Sequence, residues 1–324
     1  MSIDFDFLLN NLNNAVTSVN LPPQFNKIHS GKVRETFLRD EKRIIITTDR
    51  QSAFDRILAA VPFKGQVLNQ ISKFWFEKTT DICPNHFLQI PDPATIIARE
   101  VEIFPIEFVI RGYITGSTDT SAWVNYSQGM RKFCGISLPN NLKKNEKFSA
   151  PILTPTTKSD QHDRLISKEE IFTEHIMDQN DFEIVEDLAK KIFARGTEIA
   201  ANNGLILVDT KFEFGKDKKT GEIILADEIL TPDSSRFWLE STYQSRFEKG
   251  LEPENFDKEF LRLWFVENCD PYHDEKLPDA PPELVAKLAE KYIFAFEKIT
   301  GNTFVPAEGG ESRIAKNLEK YFEI

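Results

Sequence analysis

The chain has 324 residues and a net charge of −11, with 40% hydrophobic and 28% charged side chains, the balance of a water-soluble globular protein long enough for two domains. The excess of acid excludes non-specific attraction to nucleic acid, so any anionic ligand must be met by a local cluster of Lys, Arg and backbone N–H groups. Cys83, Cys134 and Cys269 form no C-x-x-C pair, the start MSIDFDFLLNN is not a secretory signal, and no apolar run approaches the ~20 residues of a membrane span, so a reducing, cytoplasmic setting is expected.

Residues 1–25 predict a short helix and a break at Pro22–Pro23. Phe25 to Arg50 reads as strand, a turn at Gly31, strand, a turn at Asp40–Glu41–Lys42 and a buried strand from Arg43 to Thr48. From Gly65 to Thr79, Val67, Leu68, Ile71, Phe74 and Trp75 recur at helical period. Ile96 to Ile114 predicts two strands interrupted at Pro105. Residues 127–163, rich in Pro, Asn, Lys and Ser, are expected to be long and irregular. Ser167 and Glu170 make a capping box, and a second helix runs from Asp181 to Asn203 with Gly204 as its stop. Leu205 to Trp238 alternates apolar and polar residues, turns at a Lys/Asp/Gly cluster, runs apolar again and stops at Pro232, which predicts a β-hairpin feeding a loop. Helices are expected over Asp257–Glu267, Pro282–Thr300 and Glu311–Phe322, and no internal repeat is present.

The chemistry concentrates in a few segments. Asp209, Lys211 and Glu213 are spaced by two, so they share one face of the first hairpin strand, and the return strand brings Asp227 and Glu228 opposite. Converging carboxylates suit Mg²⁺, and a Lys among them suits a phosphate. The same pattern also describes a solvated face with cross-strand ion pairs. Gly31-Lys32-Val33-Arg34 lies between two strands, where a glycine lets backbone approach a phosphate, although a plain hairpin turn has the same composition. Asp49, Arg50, Ser52 and Asp55 end a buried strand, either lining a cleft or capping a helix. Arg111 ends an apolar strand just before Gly116-Ser117 and calls for an anionic partner, a ligand or one of the chain's own acids. Lys158, His162 and Asp163 sit in a donor-rich loop, and the five His show no metal-ligand spacing. Arg236, beside Ser234 and Ser235, is a second candidate anion clamp.

Six segments in order, GKVRETF, TTDRQSAFD, FVIRGYITGS, TPTTKSDQHD, LILVDTKFEFG and ADEILTPDSSRFW, closely resemble the SAICAR synthetase family and span roughly residues 31 to 238. The chain departs from that pattern mildly at Thr118-Asp119-Thr120 and in the tail beyond Gly301. The resemblance implies an α+β fold: an antiparallel β N-terminal lobe like a kinase small lobe, residues 1–106, and an α+β second lobe with C-terminal helices, residues 107–324. It implies a ligase that joins L-aspartate to the carboxylate of an aminoimidazole ribotide, CAIR, with ATP and Mg²⁺, acting on small molecules rather than nucleic acid or membrane, and expected to be a monomer.

By the same resemblance, Lys211, Asp209 and Asp49 would be catalytic, with Asp209 orienting Lys211 or the imidazole amine. Gly31, Lys32 and Arg34 would cover the ATP phosphates, while Glu213 and Asp227 would hold the metal on the ATP side. Ser52, Asp55, Arg111, Ser117 and Arg236 would meet the ribotide, and Lys158 and Asp163 the aspartate. Two rivals remain at this point: a small-molecule kinase, disfavoured because no H-R-D-x-x-x-x-N segment occurs, and a non-catalytic ATP sensor, which would not need the Asp209/Lys211/Glu213 face.

Overall fold

Antiparallel pairing dominates the fold, as the alternating segments predict, and the architecture is α+β. The computed structural model describes residues 3–54, 56–158, 164–256 and 259–323. In chain order the elements are α1 (Phe5–Asn10), β1 (Asn26–Ser30), β2 (Arg34–Arg39), β3 (Lys42–Thr47), β4 (Arg50–Ala53), β5 (Arg56–Ala60), α2 (Lys64–Thr79), β6 (Phe87–Asp92), β7 (Thr95–Ala98), β8 (Val101–Ile103), β9 (Ile106–Ile114), α3 (Ala122–Ser127), β10 (Lys132–Phe133), β11 (Ile136–Ser137), β12 (Glu146–Leu153) and β13 (Thr156–Thr157). They continue with α4 (Lys168–Thr173), α5 (Gln179–Asn202), β14 (Leu205–Asp217), β15 (Ile223–Ala226), β16 (Ser235–Leu239), α6 (Glu240–Glu248), α7 (Glu259–Asn268), α8 (Pro282–Thr300) and α9 (Gly310–Tyr321). No helix among the described residues is long and apolar enough to cross a membrane.

Two compact units result: Met1–Phe74 with Phe87–Glu100 and Phe256–Ile324, and Trp75–His86 with Val101–Asn255. The helices after Phe256 thus belong to the same unit as the N-terminal sheet, whereas a linear division at 106/107 would group them with the second lobe. The reason is the amphipathic α9, whose Ile314 and Leu318 enter one core with Phe25, Phe37, Ile44, Ile46 and Ile97. A bidentate ion pair fixes it there: Arg313 reaches the buried Asp92 at 2.8 and 3.2 Å, and Asn317 donates to the same carboxylate at 2.7 Å.

The sheet of the first unit has the order β1-β2-β3-β7-β6. Asp40 and Glu41, both at positive φ (51° and 56°), form the tight β2–β3 turn, matching the twist that two-residue hairpins require. After β3 the chain makes a separate hairpin, β4–β5, where the sequence pattern predicted only a polar strand end. Asp49 lies between them with both carboxylate oxygens on backbone donors: the N–H of Val16 at 2.8 Å and the N–H of Gly65, at the start of α2, at 2.8 Å. Gly65 is obligatory at that junction, since a Cβ there would stand 2.1 Å from the Thr47 carbonyl oxygen. Gly65→Ala is therefore expected to destabilise the protein by about 1–3 kcal/mol or more, because backbone has to move. A urea melt checks this, and an unchanged midpoint would mean the strand–helix contact is not tight.

The larger sheet, in the second unit, runs β12-β9-β14-β15, with β13 also on β9 and β8 and β16 also on β14. β12 lies inside the stretch expected to be irregular. Its pairing with β9 breaks between Lys147 and Ile152, and Pro151 and exposed Ser149 and Ala150 hide the alternation that marks a strand. Likewise β16 occupies part of the expected loop and carries Arg236 into the sheet. α5, capped by Asp178, packs across β14 and β9.

A β-bulge in β14 organises everything that follows. Leu207 pairs with Phe237 but Asp209 pairs with Arg236, so Val208 is an extra residue in the strand. Before the bulge the odd residue Leu207 faces α5, lying 3.0 Å from where a Cβ on Gly196 would stand. After it the even residue Phe214 takes that face, stacked edge-on at 5.8 Å against Phe108, which itself meets Phe182 of α5 at 5.4 Å. The alternation has switched, so Asp209, Lys211 and Glu213 all emerge on the face away from α5.

Candidate active site

On that face β14 and β9 build a charged cluster. Lys211 Nζ donates to Glu107 Oε1 at 2.6 Å and lies 3.4 Å from Glu213 Oε1. Glu107 is held in turn by the Thr156 hydroxyl at 2.9 Å, and Lys158 pairs with the other oxygen of Glu213. Asp227 follows Ala226, the residue paired with Glu213, and its charge is felt by both Glu213 and Lys211. Burial and then repulsion from Asp227 raise the Glu213 carboxyl above its usual range, against the attraction of Lys211 and Lys158. Burial opposes charge on Lys211, but Glu213, Glu107 and Asp227 outweigh it and hold the ammonium protonated more firmly than usual. Lys211 still leaves 33% of its side chain exposed, so a ligand can reach it.

Among the described residues named here, three carboxylates and two lysines sum to one negative charge in excess, and Glu213 and Asp227 repel each other. A divalent cation between Glu213 and Asp227 would relieve that repulsion, and Mg²⁺ typically takes only one or two protein carboxylates and completes its shell with phosphate oxygens and water. Among the described residues there is no group of three or more His, Cys, Asp and Glu that could hold a metal ion.

Asp209 serves a different pair from the one expected. It does not orient Lys211; its Oδ2 accepts from Arg236 Nη1 at 2.9 Å and lies 3.5 Å from Arg111 Nη1, matching the register that sets Asp209 beside both arginines. Arg111 is enclosed, with Nε on the Thr154 hydroxyl at 2.8 Å and Nη2 on the Thr120 carbonyl at 3.1 Å. Its side chain is 6% exposed against 31% for Arg236, so Arg236 is the guanidinium a ligand would meet. Gly116 brings backbone close to that group: at φ 107° a Cβ would stand 3.2 Å from Arg236 Nη1 and 2.4 Å from Ser121 Cβ. Ser117 follows, exposed.

In the first unit, Gly31, Lys32 and Arg34 form the β1–β2 turn, closed by the Gly31 N–H on the Arg34 carbonyl at 2.8 Å, with Lys32 exposed. Ser52 is half-buried in β4. Both oxygens of Asp49, an acid expected to be catalytic, accept from backbone N–H groups, one from Val16 and one from Gly65 in the first turn of α2. Asp55 and Asp163, with His162, lie outside the described residues.

Glu107 was missed by sequence reasoning, though an isolated acid inside the apolar run Phe104–Ile114 is a signal that it has a buried partner. A separate groove of about 880 Å³ opens between α5 and β9/β12, lined by residues such as Phe148, Pro151, Phe193 and Ala194, and contains none of the charged groups above.

Known proteins resemble this chain over most of its length. The profile of SAICAR synthetase matches residues 27–278. The chain is 56% identical over 310 residues to the phosphoribosylaminoimidazole-succinocarboxamide synthase of Legionella pneumophila (strain Paris), covering 95% of this chain and 98% of that one. It is 51% identical over 315 residues to the chloroplastic enzyme of that name from Arabidopsis thaliana, covering 95% and 76%. A Saccharomyces cerevisiae SAICAR synthase complexed with SAICAR superposes with a TM-score of 0.77 at 32% identity, covering 90% of this chain and 99% of that one. A SAICAR synthetase in complex with ADP shares the fold at a TM-score of 0.65 and 24% identity, covering 86% and 100%. With the match extending over most of the chain and the charged strand faces lying inside it, this protein belongs to the SAICAR synthetase family.

Proposed function

We infer that the chain is an ATP-dependent ligase of purine biosynthesis that joins L-aspartate to the carboxylate of CAIR, giving SAICAR, ADP and phosphate. The observation that carries this reading is the single face of β14 and β9 on which Lys211 is held between Glu107 and Glu213, beside the Asp209–Arg236 pair. A carboxylate carbon resists an amine because it has no adequate leaving group. In the proposed sequence a CAIR carboxylate oxygen bonds to the γ-phosphorus of ATP as the bond to ADP breaks. The aspartate amine then attacks the acyl carbon, loses a proton, and phosphate departs. Such chemistry asks the protein for orientation and charge more than for covalent help.

The roles follow. Lys211, kept charged, meets the transferring phosphate or the reacting carboxylate, and Glu107 positions it. Glu213 and Asp227 would hold Mg²⁺, which neutralises phosphate charge when bound. Gly31, Lys32 and Arg34 face the ATP phosphates. Arg236, held by Asp209 above the enclosed Arg111, meets the ribotide with Ser117, and Ser52 and Asp55 are assigned to the same substrate. Lys158, on Glu213, and Asp163 are assigned to the aspartate side. A cytoplasmic location, supported by the free thiols of Cys83, Cys134 and Cys269, and a monomeric state complete the proposal.

Phosphate release from ATP and Mg²⁺, with CAIR and L-aspartate supplied together and each omitted in turn, tests the assignment. The expected result is release that requires both, with a succinocarboxamide product. Phosphate release or phosphoryl transfer with the ribotide alone would favour kinase-like chemistry, and ATP binding without turnover a sensor.

A further inference from the structure

Exposed hairpin turns ordinarily leave their carbonyl groups to water. The Gly31–Arg34 turn does not. Arg50, 7% exposed, lies beneath it and donates from Nη2 to the Gly31 carbonyl at 2.7 Å and from Nε to the Lys32 carbonyl at 2.9 Å, with Nη2 also 3.5 Å from the Arg34 carbonyl. Thr48 closes the set, its hydroxyl on the Val33 carbonyl at 2.7 Å and its N–H on the same oxygen at 2.9 Å. The carbonyls of Gly31, Lys32 and Val33 are therefore directed inward, while that of Arg34 accepts chiefly from the Gly31 N–H across the turn. The N–H of a trans peptide points opposite to its C=O, so the N–H edge of residues 32–34 is turned the other way, with the exposed Lys32 side chain.

Arg50 is itself fixed. Its Nη1 donates to Glu35 Oε1 at 2.6 Å and to the Thr17 carbonyl at 2.6 Å, and Lys64 donates to its own carbonyl at 3.2 Å. Burial works against charge on Glu35, but hydrogen bonds from Lys27, Arg50 and Ser30 prevail and keep it ionised, so the guanidinium has a permanent counter-charge. A hairpin needs none of this to turn: a buried guanidinium costs several kcal/mol to desolvate, which is only offset by close pairing. What it adds is one conformation of the turn and a positive charge beneath it.

We propose that Arg50 is a positioning residue for the ATP phosphates: it does not touch the nucleotide, but by binding the turn's carbonyls from beneath it holds Gly31–Arg34 with Lys32 and the N–H edge presented to a polyphosphate. This rests on the reading that the turn meets ATP, and Lys32→Ala tests that reading separately.

The test compares Arg50→Lys, Glu35→Gln and Lys32→Ala with the wild-type enzyme, reading KM for each substrate, Kd for ADP and for adenosine, and Tm. Arg50→Lys keeps the charge against Glu35, but one ammonium cannot span three carbonyls. The expected result is a rise of about tenfold in KM for ATP and in Kd for ADP, while Kd for adenosine, KM for CAIR and L-aspartate, and kcat stay within about twofold. Glu35→Gln, which loosens Arg50 without removing it, should move the same two constants by about threefold. A lowered Tm with an unchanged ratio of ADP to adenosine affinity in both variants would make Arg50 merely structural and overturn the proposal. If Lys32→Ala alone weakens ADP, the turn meets ATP but Arg50 does not set it. If none of the three variants weakens ADP, the reading of the turn itself falls.

Discussion

Glu213→Gln is expected to lower kcat by roughly 100-fold or more and to raise the Mg²⁺ concentration needed for half-maximal rate. The substitution is nearly isosteric, so the sheet has no reason to rearrange. It removes one of the two carboxylates that would hold the ion, and it leaves a single uncharged acceptor oxygen where Lys158 and Lys211 each have a carboxylate oxygen of Glu213. Part of the loss in stability is offset because Gln no longer repels Asp227. The pH dependence has a definite sign. Burial and Asp227 raise the Glu213 carboxyl above the ordinary carboxylate range, so the active, ionised form is lost as pH falls through that raised value. The acid limb of kcat/KM should therefore lie above the range of an exposed glutamate and move to lower pH as Mg²⁺ is increased, because metal and proton compete for the same oxygens. In the Gln variant the residual rate should lack this Mg²⁺-sensitive limb. Wild-type kinetics, or an unaltered limb, would remove Glu213 from the site.

Arg236→Ala is expected to raise KM for CAIR by roughly 10- to 100-fold, the cost of losing charge-assisted hydrogen bonds to an anion. KM for ATP should change little. The asymmetry follows from exposure: Arg236 is the accessible member of the pair, while Arg111 is closed in by Thr154, Thr120 and Asp209. Arg236→Lys should recover part of the loss, since it keeps the charge but not the planar fork. Equal weakening of ATP and CAIR would instead make the Asp209–Arg236 pair a support for the sheet.

Local patterns in the chain carried much of this. Hydrophobic period located α2 and α8, and period with caps located α4 and α5, to within a few residues, because Gly204, at φ 70°, and the Ser167–Glu170 box are signals that act within one turn of chain. Period two put Asp209, Lys211 and Glu213 on one face, and six ordered segments pointed to the family. What the sequence could not decide is who partners whom. Glu107 and Lys211 are 104 positions apart and meet at 2.6 Å only because β9 and β14 pair. Asp49 offers the same side chain whether it caps a helix or meets a substrate, and only the fold brings the N–H groups of Val16 and Gly65 onto its oxygens. The bulge at Val208 is invisible in the LILVDTKFEFG pattern, yet without it Leu207 and the charged trio would share one side of the strand. Periodicity is a property of neighbours along the chain, whereas register, bulges and ion-pair partners are set by strands brought together from distant parts of it, so the sequence by itself determined which residues could do the chemistry and the tertiary structure decided which of them stand together.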